Sequence, residues 1–173
     1  DNRYIVVNKG TGVAVFPINA DGSLAPFCEN FVPPLGPAPS RGKDKAPCPH
    51  QIVFDPGGRF VVVPDRNLDQ IHLYRFDASS GKLVPNAPSS AASGARSGPR
   101  HIAFHPLRPL AYAINETDCT VTAFNWSAER GELAPFQVIA TTPAAFSGKN
   151  SGSEIAVAPS GRFLFASNRG HDS

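Results

Sequence analysis

An all-β fold, a β-propeller of four-stranded blades, is the architecture this sequence predicts, and three observations predict it. The 173 residues include 15 Gly and 18 Pro. That is about one residue in five, too many breakers for a helix bundle, because an interior Pro costs about 3 kcal/mol. A segment recurs in the same order along the chain, with turn prolines Pro56, Pro106 and Pro159 spaced 50 and 53 residues apart. Each copy reads as four short strands, which is the content and period of a propeller blade. A β-sandwich also has many short strands, but not the same strands in the same order at a fixed period.

The repeat is plainest at its first hairpin. His50-Gln-Ile-Val-Phe-Asp-Pro-Gly-Gly-Arg-Phe-Val-Val-Val-Pro-Asp65 returns as His101-Ile-Ala-Phe-His-Pro-Leu-Arg-Pro-Leu-Ala-Tyr-Ala-Ile-Asn115. It returns again as Glu154-Ile-Ala-Val-Ala-Pro-Ser-Gly-Arg-Phe-Leu-Phe-Ala-Ser-Asn168. Asp55-Pro-Gly-Gly58 suits a type I turn, with Pro presetting φ at the second position. The N-terminal run Arg3-Tyr-Ile-Val-Val-Asn8 is the second half of the same unit. A third strand follows at residues 11–18, 70–76 and 120–126. A Gly-x-Leu turn into a fourth strand comes at Gly22, Gly81 and Gly131. The segments 33–49, 87–99 and 141–153 fall between one unit and the next and read as connecting loops.

The expected organisation is a partial blade and loop over residues 1–49, blades over 50–99 and 100–152, and the start of a further blade over 153–173. That is about three and a half units, whereas propellers close with four to eight. The remaining blades, or a second chain, are therefore expected to close the ring.

Charged residues are only 17% of the chain and the net charge is +2. With no basic run, zinc spacing or stacked aromatic motif, nucleic acid is not an expected partner. No apolar stretch reaches the roughly 20 residues that span a bilayer, so no membrane is expected either. Cys28, Cys48 and Cys119 form no CxxC pair, which points to a reduced, cytoplasmic setting. The sequons at Asn115 and Asn125 keep a secreted alternative open.

Candidate chemistry sits at one rim. In each hairpin the start of the first strand lies beside the end of the second. His50 then neighbours Asp65-Arg66, Arg100 neighbours Asn115-Glu116, and Ser153-Glu154 neighbours Asn168-Arg169. One residue past the long apolar run the repeat places Lys9, Arg66, Glu116 and Arg169. Arginines there could clamp a carboxylate or phosphate through bidentate hydrogen bonds, and a carboxylate with an imidazole could move protons. The plain alternative is a set of solvated turn residues that merely pair with one another.

Gly98-Pro-Arg-His-Ile-Ala-Phe-His-Pro106, Ala113-Ile-Asn-Glu116, Thr120-Val-Thr-Ala-Phe124 and above all the stretch from Glu154 to Asp172 resemble the lactonase family of seven-bladed propellers. The resemblance runs in register along essentially the whole chain, as about the first half of the family's length, and implies seven blades for the complete ring. The family includes bacterial 6-phosphogluconolactonase and the fungal 3-carboxymuconate lactonising enzyme. In the fungal branch a site of one His, one Glu and two Arg lies in the channel. By resemblance these fall on His50, before Phe54-Asp55-Pro56, Arg100 in Gly-Pro-Arg-His, Glu116 after Asn115, and Arg169 in Asn-Arg-Gly. Relatives often read Pro-His-x-His where this chain has Pro47-Cys48-Pro49-His50, so a role of the first His does not carry over to this chain.

The resemblance thus implies hydrolysis of a sugar lactone. His50 or Glu116 would be the catalytic general base, and Arg100 and Arg169 would bind the substrate's phosphate or the oxyanion. A small anionic lactone or carboxylate is the expected substrate, with neither metal nor cofactor. A muconate-type lactonising cycloisomerase and a non-catalytic binding propeller or inactive fragment are the alternatives. Elsewhere, alternation predicts that His101 points away from the channel. His105 and Asp55 are read as turn residues, and His171 likewise. His72 is expected on a solvent face, and Trp126 in packing between strands.

Overall fold

The computed structural model describes residues 4–31 and 46–173, with backbone alone at residues 5, 7–9 and 29–31. Most of segment 33–49, and the side chain of Lys9, therefore lie outside the described residues. The described residues form antiparallel sheets and no helix. β1 (Tyr4–Lys9), β2 (Gly12–Pro17) and β3 (Glu29–Phe31) make a three-stranded sheet. β4 (Val53–Phe54), β5 (Phe60–Asp65), β6 (Gln70–Asp77) and β7 (Lys82–Ala92) make a four-stranded sheet in chain order. β8 (Pro99–Phe104), β9 (Leu110–Asn115), β10 (Thr120–Ser127) and β11 (Glu132–Ala140) repeat it, and β12 (Ser151–Val157) with β13 (Leu164–Arg169) begin it again.

The sheets stack face to face, and the period of two along each strand assigns its side chains to one neighbour or the other. On β5, Val61 and Val63 join Val13, Val15, Tyr74 and Leu83 in the core against the first sheet. Phe60 and Val62 instead join Ile102, Phe124, Trp126 and Leu133 in the core against the next sheet. Both faces of β5 are thereby covered, and all six residues are buried. Trp126 sits edge-on to Phe60 at 5.7 Å and to Phe104 at 5.2 Å, which places it in packing between sheets as expected. The Gly-x-Leu turns have a matching cause. Gly131 has φ +65°, and a Cβ there would overlap the Phe60 ring of the preceding sheet.

Two expectations need correction. His72 is buried, 4% exposed, with Nε2 3.7 Å from the Asp65 carboxylate. Polar alternation on β6 does not mark a wet side, because neighbouring sheets cover both faces. Residues 87–92 are not loop but the second half of β7, which pairs with β6 as far as Gln70↔Ala92 after a register shift. Pro88 is tolerated there because β7 is an outer strand.

The hairpin turns repeat one device in two chemistries. The buried Asp55 carboxylate accepts the backbone N–H groups of Gly57, Arg59 and Phe60. At the equivalent turn His105 Nδ1 accepts those of Leu107 and Arg108 at 3.0 Å. At the far end, Phe163 and Phe165 on the last sheet are 60% and 63% exposed, although their repeat equivalents Phe60 and Val62 are buried. No described helix is long and apolar enough to cross a membrane.

Candidate active site at the channel rim

The rim is built at the ends of successive first hairpins. His50 N–H donates to Pro64 O and Arg66 N–H to Cys48 O, which binds the entering segment to the end of β5. Glu116 N–H donates to Gly98 O, and Glu116 O accepts from Gly152 N–H of the next sheet. The Asp or Asn that closes each long apolar run fastens the adjacent loops. Asp65 accepts Cys48 N–H at 3.0 Å, Asn115 accepts Ser93 Oγ–H at 2.6 Å, and Asn168 accepts Thr141 Oγ1–H at 2.7 Å. All three are buried. The residue after each of them, Arg66, Glu116 and Arg169, is therefore delivered to the rim from a fixed backbone.

Three guanidinium groups converge on one carboxylate. Arg66 donates to Glu116 Oε1 at 2.9 Å. Arg100 Nε lies 3.1 Å from Oε2, in ion-pair range without the alignment of a hydrogen bond. Arg169 reaches the same oxygen at 3.3 Å. Arg100 is further held by donation to Ser153 O at 2.7 Å. Burial by itself would raise the Glu116 pKa. The Arg66 hydrogen bond and the three positive charges outweigh it, and the carboxyl titrates below its ordinary range. Arg66 correspondingly holds its proton more tightly: burial opposes this, and Glu116 more than offsets it.

Beside this group lies a pair of imidazoles. His50 Nδ1 is 3.2 Å from His101 Nε2, and His101 Nδ1 is 2.8 Å from Glu154 Oε1. The His50 pKa is lowered, first by burial and then by the charges of Arg100, His101 and Arg66, against a smaller opposing pull from Glu116. His50 is thus a neutral imidazole at neutral pH, able to accept a proton.

His101 contradicts the alternation argument, and the reason is a bulge. The β8–β9 register shifts between Pro99 and His101, so the extra residue Arg100 breaks the two-residue period. Arg100 and His101 both reach the rim. The β12–β13 pair shifts at the equivalent place, between Gly152 and Ile155, and brings in Glu154. The structure thus unites His50, Arg100, Glu116 and Arg169, and adds Arg66, His101 and Glu154. Arg66 and Glu154 already stand among the rim positions of the repeat, but nothing in the residue pattern announces either bulge. His171, by contrast, stays in its turn, with its N–H on Asn150 Oδ1 and its ring against Phe146. No cluster of three or more potential metal ligands occurs among the described residues.

A family profile described as "Lactonase, 7-bladed beta-propeller" matches residues 2–173. The chain belongs to the lactonase family of seven-bladed β-propellers. Within it, the chain is 38% identical to the 6-phosphogluconolactonase of Bacillus subtilis, over 99% of this chain and 48% of that protein. It is 32% identical to the enzyme of that name from Serratia proteamaculans, over 93% and 45%. Among solved structures, the periplasmic gluconolactonase of Pseudomonas aeruginosa superposes with a TM-score of 0.87 and 30% identity, covering 98% of this chain and 48% of that one. A putative 6-phosphogluconolactonase from Bacteroides fragilis superposes with a TM-score of 0.84 and 29% identity, over 98% and 48%. This lactonase-family chain spans about half the length of the curated relatives it matches.

Proposed function

We propose that the rim is part of the active site of a sugar-lactone hydrolase acting on an anionic lactone of the 6-phosphogluconolactone type. The observation that carries the reading is the convergence of Arg66, Arg100 and Arg169 on Glu116 beside neutral His50. One carboxylate cannot neutralise three guanidinium groups, so the rim keeps a positive surplus that favours an anionic substrate. Arg100 and Arg169 bind the phosphate or the developing oxyanion, which planar guanidinium groups suit. His50 takes a proton from water as the water oxygen adds to the lactone carbonyl carbon. When the carbonyl carbon–ring oxygen bond breaks, the same proton passes to the departing ring oxygen, leaving the open-chain hydroxy acid.

Glu116 is the weaker base of the two candidates because its lone pairs are committed to guanidinium groups. Its role is to set the arginines in place and temper their mutual repulsion. The names of the relatives favour hydrolysis over the lactonising cycloisomerase and binding-module readings. The exposed Phe163 and Phe165 face is covered by a further blade in the complete ring, and residues from that part of the ring complete the pocket. A cytoplasmic setting fits three cysteines that are all free thiols.

The test compares hydrolysis of 6-phosphogluconolactone with that of unphosphorylated gluconolactone by the full chain. A preference of about tenfold or more in kcat/KM for the phosphorylated lactone, as one extra charge-assisted contact supplies, supports the reading. No acceleration of either lactone over its spontaneous hydrolysis overturns it.

A further inference from the structure

Resting on the reading of His50 as the base, we infer that Glu154 and His101 form a two-residue relay that fixes the His50 tautomer and so presents Nε2 as its bare, proton-accepting nitrogen. The proton positions follow from what each neighbour can do. A carboxylate only accepts, so Glu154 Oε1 at 2.8 Å requires the hydrogen of His101 on Nδ1. Arginine only donates, and Arg100 lies 3.3 Å from His101 Nε2, so that nitrogen is an acceptor on independent grounds. With His101 Nε2 accepting, the 3.2 Å contact to His50 Nδ1 places the His50 hydrogen on Nδ1. The lone pair of His50 is then left on Nε2.

The relay is itself anchored. Ile155 N–H donates to the same Glu154 oxygen at 2.9 Å, and Ser167 Oγ accepts Glu154 N–H at 3.0 Å. The two imidazole rings lie 5.0 Å apart at 59°. It also joins three successive hairpins, since His50, His101 and Glu154 enter from three different sheets.

Charge completes the argument. The groups facing His50 are Arg100, His101, Glu116 and Arg66; the two guanidinium groups disfavour its imidazolium, Glu116 favours it, and His101, with Nε2 accepting, is neutral. Glu154 acts through His101 to support the positive charge that His50 acquires when it takes a proton. His101 and Glu154 are positioning residues and touch no substrate.

The experiment uses His101→Phe and Glu154→Gln in the full chain, with nitrogen-15 NMR of the imidazoles and pH profiles of kcat/KM. The expected parent spectrum shows His50 protonated at Nδ1. In His101→Phe that tautomer is lost, and kcat falls about tenfold or more with KM nearly unchanged. In Glu154→Gln the acid limb of the profile moves to lower pH, because the imidazolium has lost its distant carboxylate. Glu154 is largely exposed, so this variant reads the relay even if His101→Phe fails to fold. An unchanged His50 tautomer and an unmoved acid limb in folded variants overturn the relay. If His50→Asn leaves turnover intact, the hydrolase assignment of His50 fails instead, and the NMR result still judges the relay on its own.

Discussion

Replacing Glu116 by Gln probes the rim at its centre. The substitution keeps the shape of the side chain but removes the charge that three guanidinium groups share, and it turns an N–H₂ group toward at least one of them. The magnitude follows from exposure. Arg66 and Arg169 side chains are 37% and 50% exposed, so solvent screens their pairs with Glu116, and each contributes about 0–1 kcal/mol as a charge pair. Arg66 also donates the aligned, charge-assisted hydrogen bond to Glu116, and breaking it beside the less screened Arg100 pair, 15% and 17% exposed, costs about 1.5–3 kcal/mol. The loss should total about 1.5–5 kcal/mol, which lowers the urea midpoint by about 1–2.5 M at a slope of about 2 kcal/mol/M. The pH dependence has a definite sign. A carboxyl whose folded pKa is depressed contributes stability above its unfolded pKa and loses it as pH falls through the folded value. The gap between parent and variant should therefore be full at neutral pH and close below the ordinary carboxylate range. Urea titrations at pH 7 and at successively lower pH measure it. Equal midpoints at pH 7, or a gap that persists at low pH, would refute the charge-sharing account.

Arg100→Ala should raise KM for the phosphorylated lactone about tenfold or more with a smaller change for the unphosphorylated one, as steady-state kinetics on both would show. The rate should fall as pH drops through the His50 pKa, which lies below the usual value for histidine. A kcat/KM profile checks this, and an acid limb above about 6.5 would exclude His50 as the base. Trp126→Ala removes the edge-on contacts to Phe60 and Phe104 and should cost about 3–5 kcal/mol in urea unfolding. Phe165→Asp should destabilise the complete ring by more than about 2 kcal/mol while leaving residues 1–173 expressed alone nearly unaffected. Equal effects would remove the further blade from that face.

The repeat was legible because a blade imposes two independent rhythms, strand alternation and a turn proline at a fixed phase. The turn residues Asp55 and His105 could be placed from that phase alone. So could His50, Arg100, Glu116 and Arg169, since each sits a constant number of residues from a turn or the end of an apolar run. What stayed hidden has physical causes. His101 reaches the rim through the bulge after Pro99, and one inserted residue reverses every orientation that alternation predicts; Glu154 could be placed at the rim, but not the matching bulge after Gly152 that aims it at His101. His72 looked solvent-facing because alternation reports two faces, but not that both are covered. The second half of β7 was obscured by Pro88 and its serines, which an outer strand accommodates.

The most direct test of the hydrolase account is a structure of the full chain with 6-phosphogluconate, the stable product, bound. The account predicts an anionic group of the ligand within hydrogen-bond distance of Arg100 and Arg169, with its C1 carboxylate beside His50 Nε2. Basic residues also line a cleft of about 340 Å³ at the opposite end of the hairpins, between His105, Arg108 and Arg162. Product bound in that cleft, with the rim arginines still closed on Glu116, would contradict the account.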